Sequence, residues 1–268
     1  MKVAAAAVMV AVLVLGWPQL FRPGYSPDEE YTVFAVRGIE ATANRLPLLP
    51  SGLLYDRGLA YSYASWAAHL FSGAELPSYR ALALVSAVAS VAVVSLVVSS
   101  ATSTMAGTLA VFLAATSVPF WAAATTGRFY APLLAVFVST LLSLYSMGTA
   151  ATLRTVATLA VLACVGRLVH ELAFTMMAIP LVCAVLAPRG SRAKWLSAFL
   201  AIAAGLAAAQ ALILGLHTLA PPTGGQSMVQ RFFIWQVLNL FEVPPDNQFA
   251  IPLVVLFITW VLRRSGRA

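Results

Sequence analysis

The chain has 268 residues, of which 61% are hydrophobic and 9% charged, with a formal net charge of +7. A soluble domain carries about 25% charged residues, so this composition excludes a water-soluble globule and places the chain in a membrane. The basic residues stand scattered at segment ends and form no stripe, which excludes nucleic acid as a partner.

In chain order, the first segment is "MKVAAAAVMVAVLVLGWPQLF". Its apolar run is longer than a signal-peptide core and no small-x-small cleavage site follows, so it reads as an uncleaved first transmembrane helix. Apolar runs then predict helices at about 3–20, 79–98, 105–121, 130–147, 154–169, 171–187 and 195–216, with an eighth and shorter one at about 249–262. The fifth and sixth are divided only by a polar break at Arg167, His170 and Glu171. Together they run to about 33 residues, too long for one span at 1.5 Å per residue, so a tight hairpin is expected. Cys164 and Cys183 lie inside apolar runs at different depths and read as core residues rather than a disulfide.

The expected fold class is therefore an all-α polytopic membrane protein with about seven or eight spans. Two long outer segments, about 21–78 and 217–248, are each expected to carry an interfacial helix. In the first, "LAYSYASWAAHLF" places Tyr63, Trp66 and Leu70 on one helical face, as a helix lying on the membrane would. In the second, "QSMVQRFFIWQVLNLF" is the counterpart. No internal repeat and no soluble domain is apparent.

With the N-terminus in the cytoplasm, Lys2, Arg154, Arg189, Arg192, Lys194, Arg263, Arg264 and Arg267 fall inside, as the positive-inside rule requires. All nine acids then fall outside: Asp28, Glu29, Glu30, Glu40, Asp56, Glu75, Glu171, Glu242 and Asp246. So do His69, His170 and His217. Every group able to transfer a proton faces the extracytoplasmic side, in an integral plasma (inner) membrane protein.

The densest acidic stretch is "SPDEE", Ser26 to Glu30. Ser26 can cap a helix, Pro27 suits its first position and Glu29 completes a capping box. Acids in a first turn also suit the helix dipole. Capping accounts least for Asp28, so a catalytic reading stays open beside it. "SYRALALVSA" supplies Arg80, "GRFYA" supplies Arg128 and Tyr130, and "GRLVHELAF" supplies Arg167, His170 and Glu171, all at outer helix mouths. "LYDRGLAYSY" adds Asp56 and Arg57. An arginine or tyrosine at a helix end can simply snorkel or join the aromatic belt. Several helices bringing carboxylates and arginines to one face is the less ordinary feature.

The ordered set of "DEE" after the first helix, "LYDRGLAYSY" with "SYRALALVSA", "GRFYA" and the His-Glu pair resembles the GT-C superfamily of glycosyltransferases. The likeness is to family 39, the protein O-mannosyltransferase and aminoarabinose-transferase type. It covers about residues 1–187, a catalytic transmembrane module, and leaves 188–268 as C-terminal helices. The resemblance implies transfer of a sugar from a polyprenyl-phosphate donor to a hydroxyl on a protein, lipid or glycan, with inversion. Asp28 would be the base, with Glu29 beside it, and Arg80 would be associated with the lipid phosphate. Arg128, Tyr130, His170, Glu171, Asp56 and Arg57 are the further substrate-binding candidates. Where family members often carry a second acid before "GRFY", Thr125 and Thr126 stand here. No cofactor is called for, although His170 and Glu171 leave room for a divalent ion; two ligands alone make a poor metal site. The alternatives are a non-catalytic subunit of the same fold, working with a membrane-protein partner, and a lipid or solute transporter. Transporters place ionisable groups near the bilayer midplane, often beside inverted repeats, which this pattern lacks.

Overall fold

In the computed structural model the described residues are 2–149 and 152–220. The expected eighth span and nearly all of the second outer loop, with Glu242 and Asp246, lie outside them. The described residues form ten α-helices and one 3-10 helix, with a single isolated β-bridge between Leu48 and Leu54.

α1 (Lys2–Leu20) leads into a segment with two helices of its own, α2 (Pro27–Ala41) and α3 (Leu59–Ser72). α4 (Glu75–Ala101) follows, starting a turn earlier than its apolar run suggests. Glu75 belongs to its first turn and is tied to Arg37 of α2 by paired bonds of 3.0 and 3.1 Å. The expected span at about 105–121 is broken. α5 (Thr104–Ala115) and α6 (Val118–Thr125) meet at a bend of 68°. Ser117 caps α6 by accepting from the Phe120 N–H, and Pro119 in its first turn has no N–H to continue the preceding helix.

α7 (Tyr130–Thr149) and α8 (Leu153–Val169) come next. The segment expected as a helix at 171–187 starts as a 3-10 helix, Glu171–Met177, and becomes α-helical only in α9 (Ala178–Leu186). His170 forces the break: its backbone is extended, and it closes α8 while opening the next turn. α10 (Arg189–Leu219) packs back along α8. Their backbones approach so closely that a Cβ on Gly205 would lie 2.0 Å from the Ala160 carbonyl oxygen.

Two apolar clusters hold the helices. One joins α1, α4, α5 and α6 through Val12, Leu84, Ala87, Val111 and Phe120. The other joins α7 to α10 through Leu144, Leu159, Met176, Ile202 and Leu206. Alanines at Ala83, Ala87, Ala124, Ala163, Ala198 and Ala209 are fully or almost fully buried, as close helix packing in lipid favours. The outward faces are equally apolar: Val14, Leu96, Leu113, Val161 and Leu200 are all exposed. Helices apolar on every side need a lipid surround. Among the described residues α4, α7 and α10 are long and apolar enough to cross a membrane, and the bent pair α5–α6 gives a fourth if it counts as one span. The chain is a helical membrane protein. Among the described residues the larger count of seven or eight spans is not confirmed: Ala5–Leu20 and Glu171–Leu186 are shorter apolar helices, and α8 has 17 residues.

α3 is present where expected, but its faces are distributed differently. Trp66 packs on Val33, Val36 and Tyr79 and lies under the Arg45 guanidinium, while the Tyr63 hydroxyl donates to the Arg45 carbonyl. The pull comes from the apolar flank of α2, which offers these aromatics a protein surface. The exposed large apolar residues of α3 are Leu70 and Phe71.

Candidate functional site

The two ends of the bundle differ in chemistry. At one end Tyr145 donates to the Ser100 carbonyl and Lys194 to the Gly148 carbonyl, joining the C-termini of α4 and α7 to the start of α10. At the other end lie the exit of α1, the starts of α4 and α7, the end of α8 and the end of α10. Every predicted site residue is there.

α2 begins as a capping box. The Ser26 hydroxyl accepts from the Glu29 N–H, and Glu29 Oε2 accepts from the Ser26 N–H at 2.8 Å. Glu29 then does more than cap. Its Oε1 accepts from Arg80 Nε at 2.7 Å and from the Gly127 N–H at 2.8 Å, and its Oε2 accepts from Arg80 Nη2 at 2.9 Å. Burial works against its charge, but Arg80, Gly127 and Ser26 outweigh that and bring its pKa down to about 2. Gly127 packs closely here: a Cβ on it would stand 3.0 Å from Tyr79 Cβ, a tight contact, and 3.4 Å from Glu29 Oε1.

Arg80 is fully buried. Its remaining donors reach the carbonyls of Leu20, Arg22 and Gly24 at 3.3, 2.6 and 2.7 Å. A guanidinium has five N–H groups, and all five are engaged. Arg80 has no donor left for a lipid phosphate, and Glu29 has no free acceptor with which to take a proton. The pair fixes the exit of α1, the start of α2 and the start of α4 to one another.

Asp28 faces the other way, with its side chain 56% exposed. Arg128 Nη1 donates to both the Asp28 backbone carbonyl at 2.8 Å and its Oδ1 at 3.0 Å. The Tyr130 hydroxyl lies 3.5 Å from Oδ2. Arg128 itself is buried among aromatic faces, with Phe129, Tyr130 and Tyr31 centred 4.5, 5.4 and 5.6 Å from its guanidinium carbon. Tyr31 stacks on Tyr55, whose hydroxyl is buried and held protonated, its pKa pushed up by burial to about 12.

A second group of residues adjoins the first. His170 stacks on Phe129 at 4.3 Å. Its Nδ1 accepts from the Leu172 N–H at 3.1 Å, so the neutral ring carries its proton on Nε2. Burial, then Arg57, Arg128 and Arg167, push its pKa down to about 3. Glu171 pairs with Arg57 at 3.4 Å, and Asp56 with His217 Nε2 at 3.2 Å. Burial raises the Asp56 carboxyl, but the bond to His217, the charges of His217 and Arg167 and a backbone hydrogen bond together hold it below the usual carboxylate range. Arg167 donates from Nε to Gln210 Oε1 at 3.0 Å.

Asp28, Arg128, Tyr130, Asp56, Arg57, His170 and Glu171 therefore collect at one end. Gln210 and His217 belong there too, brought from α10 across the expected boundary at 187/188. The sequence carries a signal for both: polar side chains near the end of an otherwise apolar helix. Among the described residues no three His, Cys, Asp or Glu side chains are grouped to hold a metal ion. Comparison with family models, curated proteins and solved structures finds no match for this chain.

Proposed function

We propose that this chain is a membrane glycosyltransferase of the GT-C, family 39 type. It would move a sugar from a polyprenyl-phosphate donor to an acceptor hydroxyl on the extracytoplasmic face of the plasma (inner) membrane. The observation that carries the reading is the division of labour between neighbouring carboxylates. Glu29 is buried and saturated by Arg80, whereas Asp28 is exposed and oriented by Arg128.

In this reading Asp28 accepts the acceptor's hydroxyl proton on Oδ2, since Arg128 occupies Oδ1. The acceptor oxygen attacks the anomeric carbon, the bond from that carbon to the phosphate oxygen breaks, and polyprenyl phosphate leaves with the electron pair. Attack opposite the leaving group inverts the configuration. The buried Arg80–Glu29 pair serves the base by fixing the turn that carries it. Guanidinium groups at the same end supply the positive field for the departing phosphate. The basic residues at the far end argue that this end is the extracytoplasmic one.

The test is transfer by the purified chain in lipid, using a radiolabelled polyprenyl-phosphate sugar and a mixture of membrane acceptors. Label should move from the lipid to an acceptor with wild type, and its complete retention on the lipid would reject the reading.

The ion pairs support a second reading, a non-catalytic subunit with this frame. Asp28–Arg128, Asp56–His217 and Arg57–Glu171 also tie loops to helices, as scaffolding would. On that reading the purified chain retains donor binding and lacks transfer.

A further inference from the structure

Arg167 sits near the end of α8 and is only 3% exposed. Its Nε is satisfied by Gln210, but its Nη1 is buried and has no hydrogen-bond partner. Leaving a buried donor unmade costs about 1–3 kcal/mol, and more for a charged group. The Phe174 ring lies against the guanidinium, centred 5.7 Å from its central carbon. The carboxylates nearest to it are committed elsewhere, Asp56 to His217 and Glu171 to Arg57.

His170 lies three residues on and supplies a second donor of fixed direction. Its Nδ1 accepts from the Leu172 N–H and its ring is pinned on Phe129, so Nε2–H is the donor left to it. Arg57, Arg128 and Arg167 all act on this ring, and burial adds to them, so it stays neutral near pH 7. It can donate a hydrogen bond there but cannot serve as a base. Arg57, with its side chain 47% exposed, adds positive charge at the rim.

We infer that Arg167 Nη1 and His170 Nε2 form a seat for a phosphate oxygen, with Gln210 as the positioning residue that aims the guanidinium and Arg57 as a rim charge. Arg is suited to it, because permanent charge and planar donors match a phosphate. The seat depends on the glycosyltransferase reading only for the identity of the molecule that brings the phosphate. A lipid headgroup and free phosphate share the chemistry.

The experiment uses the full chain purified in detergent, with histidine side chains isotopically labelled and the His170 resonance assigned through His170→Phe. Dodecyl phosphate and inorganic phosphate are titrated separately. The seat predicts a saturable shift of the His170 resonance, with His69 unmoved. Arg167→Lys and Gln210→Leu should each weaken binding about ten-fold or more. Gln210→Leu keeps the guanidinium itself and carries the test if Arg167→Lys fails to fold. A response to dodecyl phosphate alone supports a lipid headgroup, and an equal response to inorganic phosphate supports the seat with free phosphate as its source. No saturable shift with either overturns the seat, as does unchanged affinity in Gln210→Leu. Sugar transfer measured on the same samples keeps the two readings apart. Binding without transfer upholds the seat and rejects the enzyme, whereas transfer without binding does the reverse.

Discussion

Arg80 closes on Glu29 through two parallel hydrogen bonds, of 2.7 Å to Oε1 and 2.9 Å to Oε2, with neither side chain exposed. The residues are 51 positions apart. Their contact fastens the first outer helix to the start of α4, and the neighbouring Asp28 is thereby held in a fixed place.

Removing one partner of this pair should damage the fold rather than the chemistry. Glu29→Gln leaves the buried Arg80 charge without its counter-ion, a change that costs about 3–5 kcal/mol for buried pairs. Thermal unfolding in detergent, followed by the loss of the monodisperse peak, should show Glu29→Gln far less stable than wild type. Equal stability would mean that the pair does not organise the turn.

Arg128 holds Asp28 by two oxygens from one nitrogen. Lysine keeps the charge but loses the planar guanidinium that lies between aromatic rings and aims this nitrogen. Arg128→Lys should lower transfer about ten- to a hundred-fold, as expected for losing a bond between charged groups, and Arg128→Ala should lower it further. The kcat term should fall while the donor KM changes little. A pure rise in donor KM would assign Arg128 to the phosphate instead.

Acid should weaken the fold in two stages. His170 has its pKa lowered to about 3, so its neutral form belongs to the folded state and that stability is complete above the usual value of 6.5. It is lost progressively as pH falls from about 6.5 towards 3. Glu29, lowered to about 2, contributes above its usual 4.5 and loses that contribution as pH falls from about 4.5 towards 2. Unfolding temperature measured from pH 7 to pH 3 should therefore decline, and His170→Phe should flatten the upper part of the decline. An unaltered profile in that variant would contradict the placement of His170.

Much of this site is legible where the signal is local. "SPDEE" announces its capping box, and the outer arginines and the His-Glu pair announce one polar end. The partner of Glu29 is not announced, because nothing near residue 29 points to Arg80, and an arginine at a helix mouth reads equally well as a phosphate ligand. Gln210 and His217 show in the sequence only as polar side chains near the end of an apolar helix; their partners, Arg167 and Asp56, emerge only when α10 folds back onto the bundle. The break between α5 and α6 does have a signal, Ser117 followed by Pro119, but a continuous apolar run masks it in a reading by hydropathy. On α3, periodicity finds the apolar side chains but cannot tell lipid from the flank of α2, so Trp66 reads as membrane-facing and packs on protein instead.

The proposed orientation rests on the distribution of charge and can be checked directly. Single cysteines beside Asp28, Arg128 and Glu171 in a cysteine-free background should react with an impermeant thiol reagent on intact cells. Labelling only after the membrane is opened would reverse the topology and remove the extracytoplasmic reaction with it.

The most direct measurement is sugar transfer by purified Asp28→Asn beside wild type, with donor binding and unfolding temperature recorded on the same samples. Asn is nearly isosteric with Asp, can still accept from Arg128, and cannot take the acceptor's proton. The account predicts transfer abolished, with donor affinity and unfolding temperature close to wild type. Transfer by Asp28→Asn at the wild-type rate would contradict it, because no other group in the described site is both exposed and placed to serve as the base.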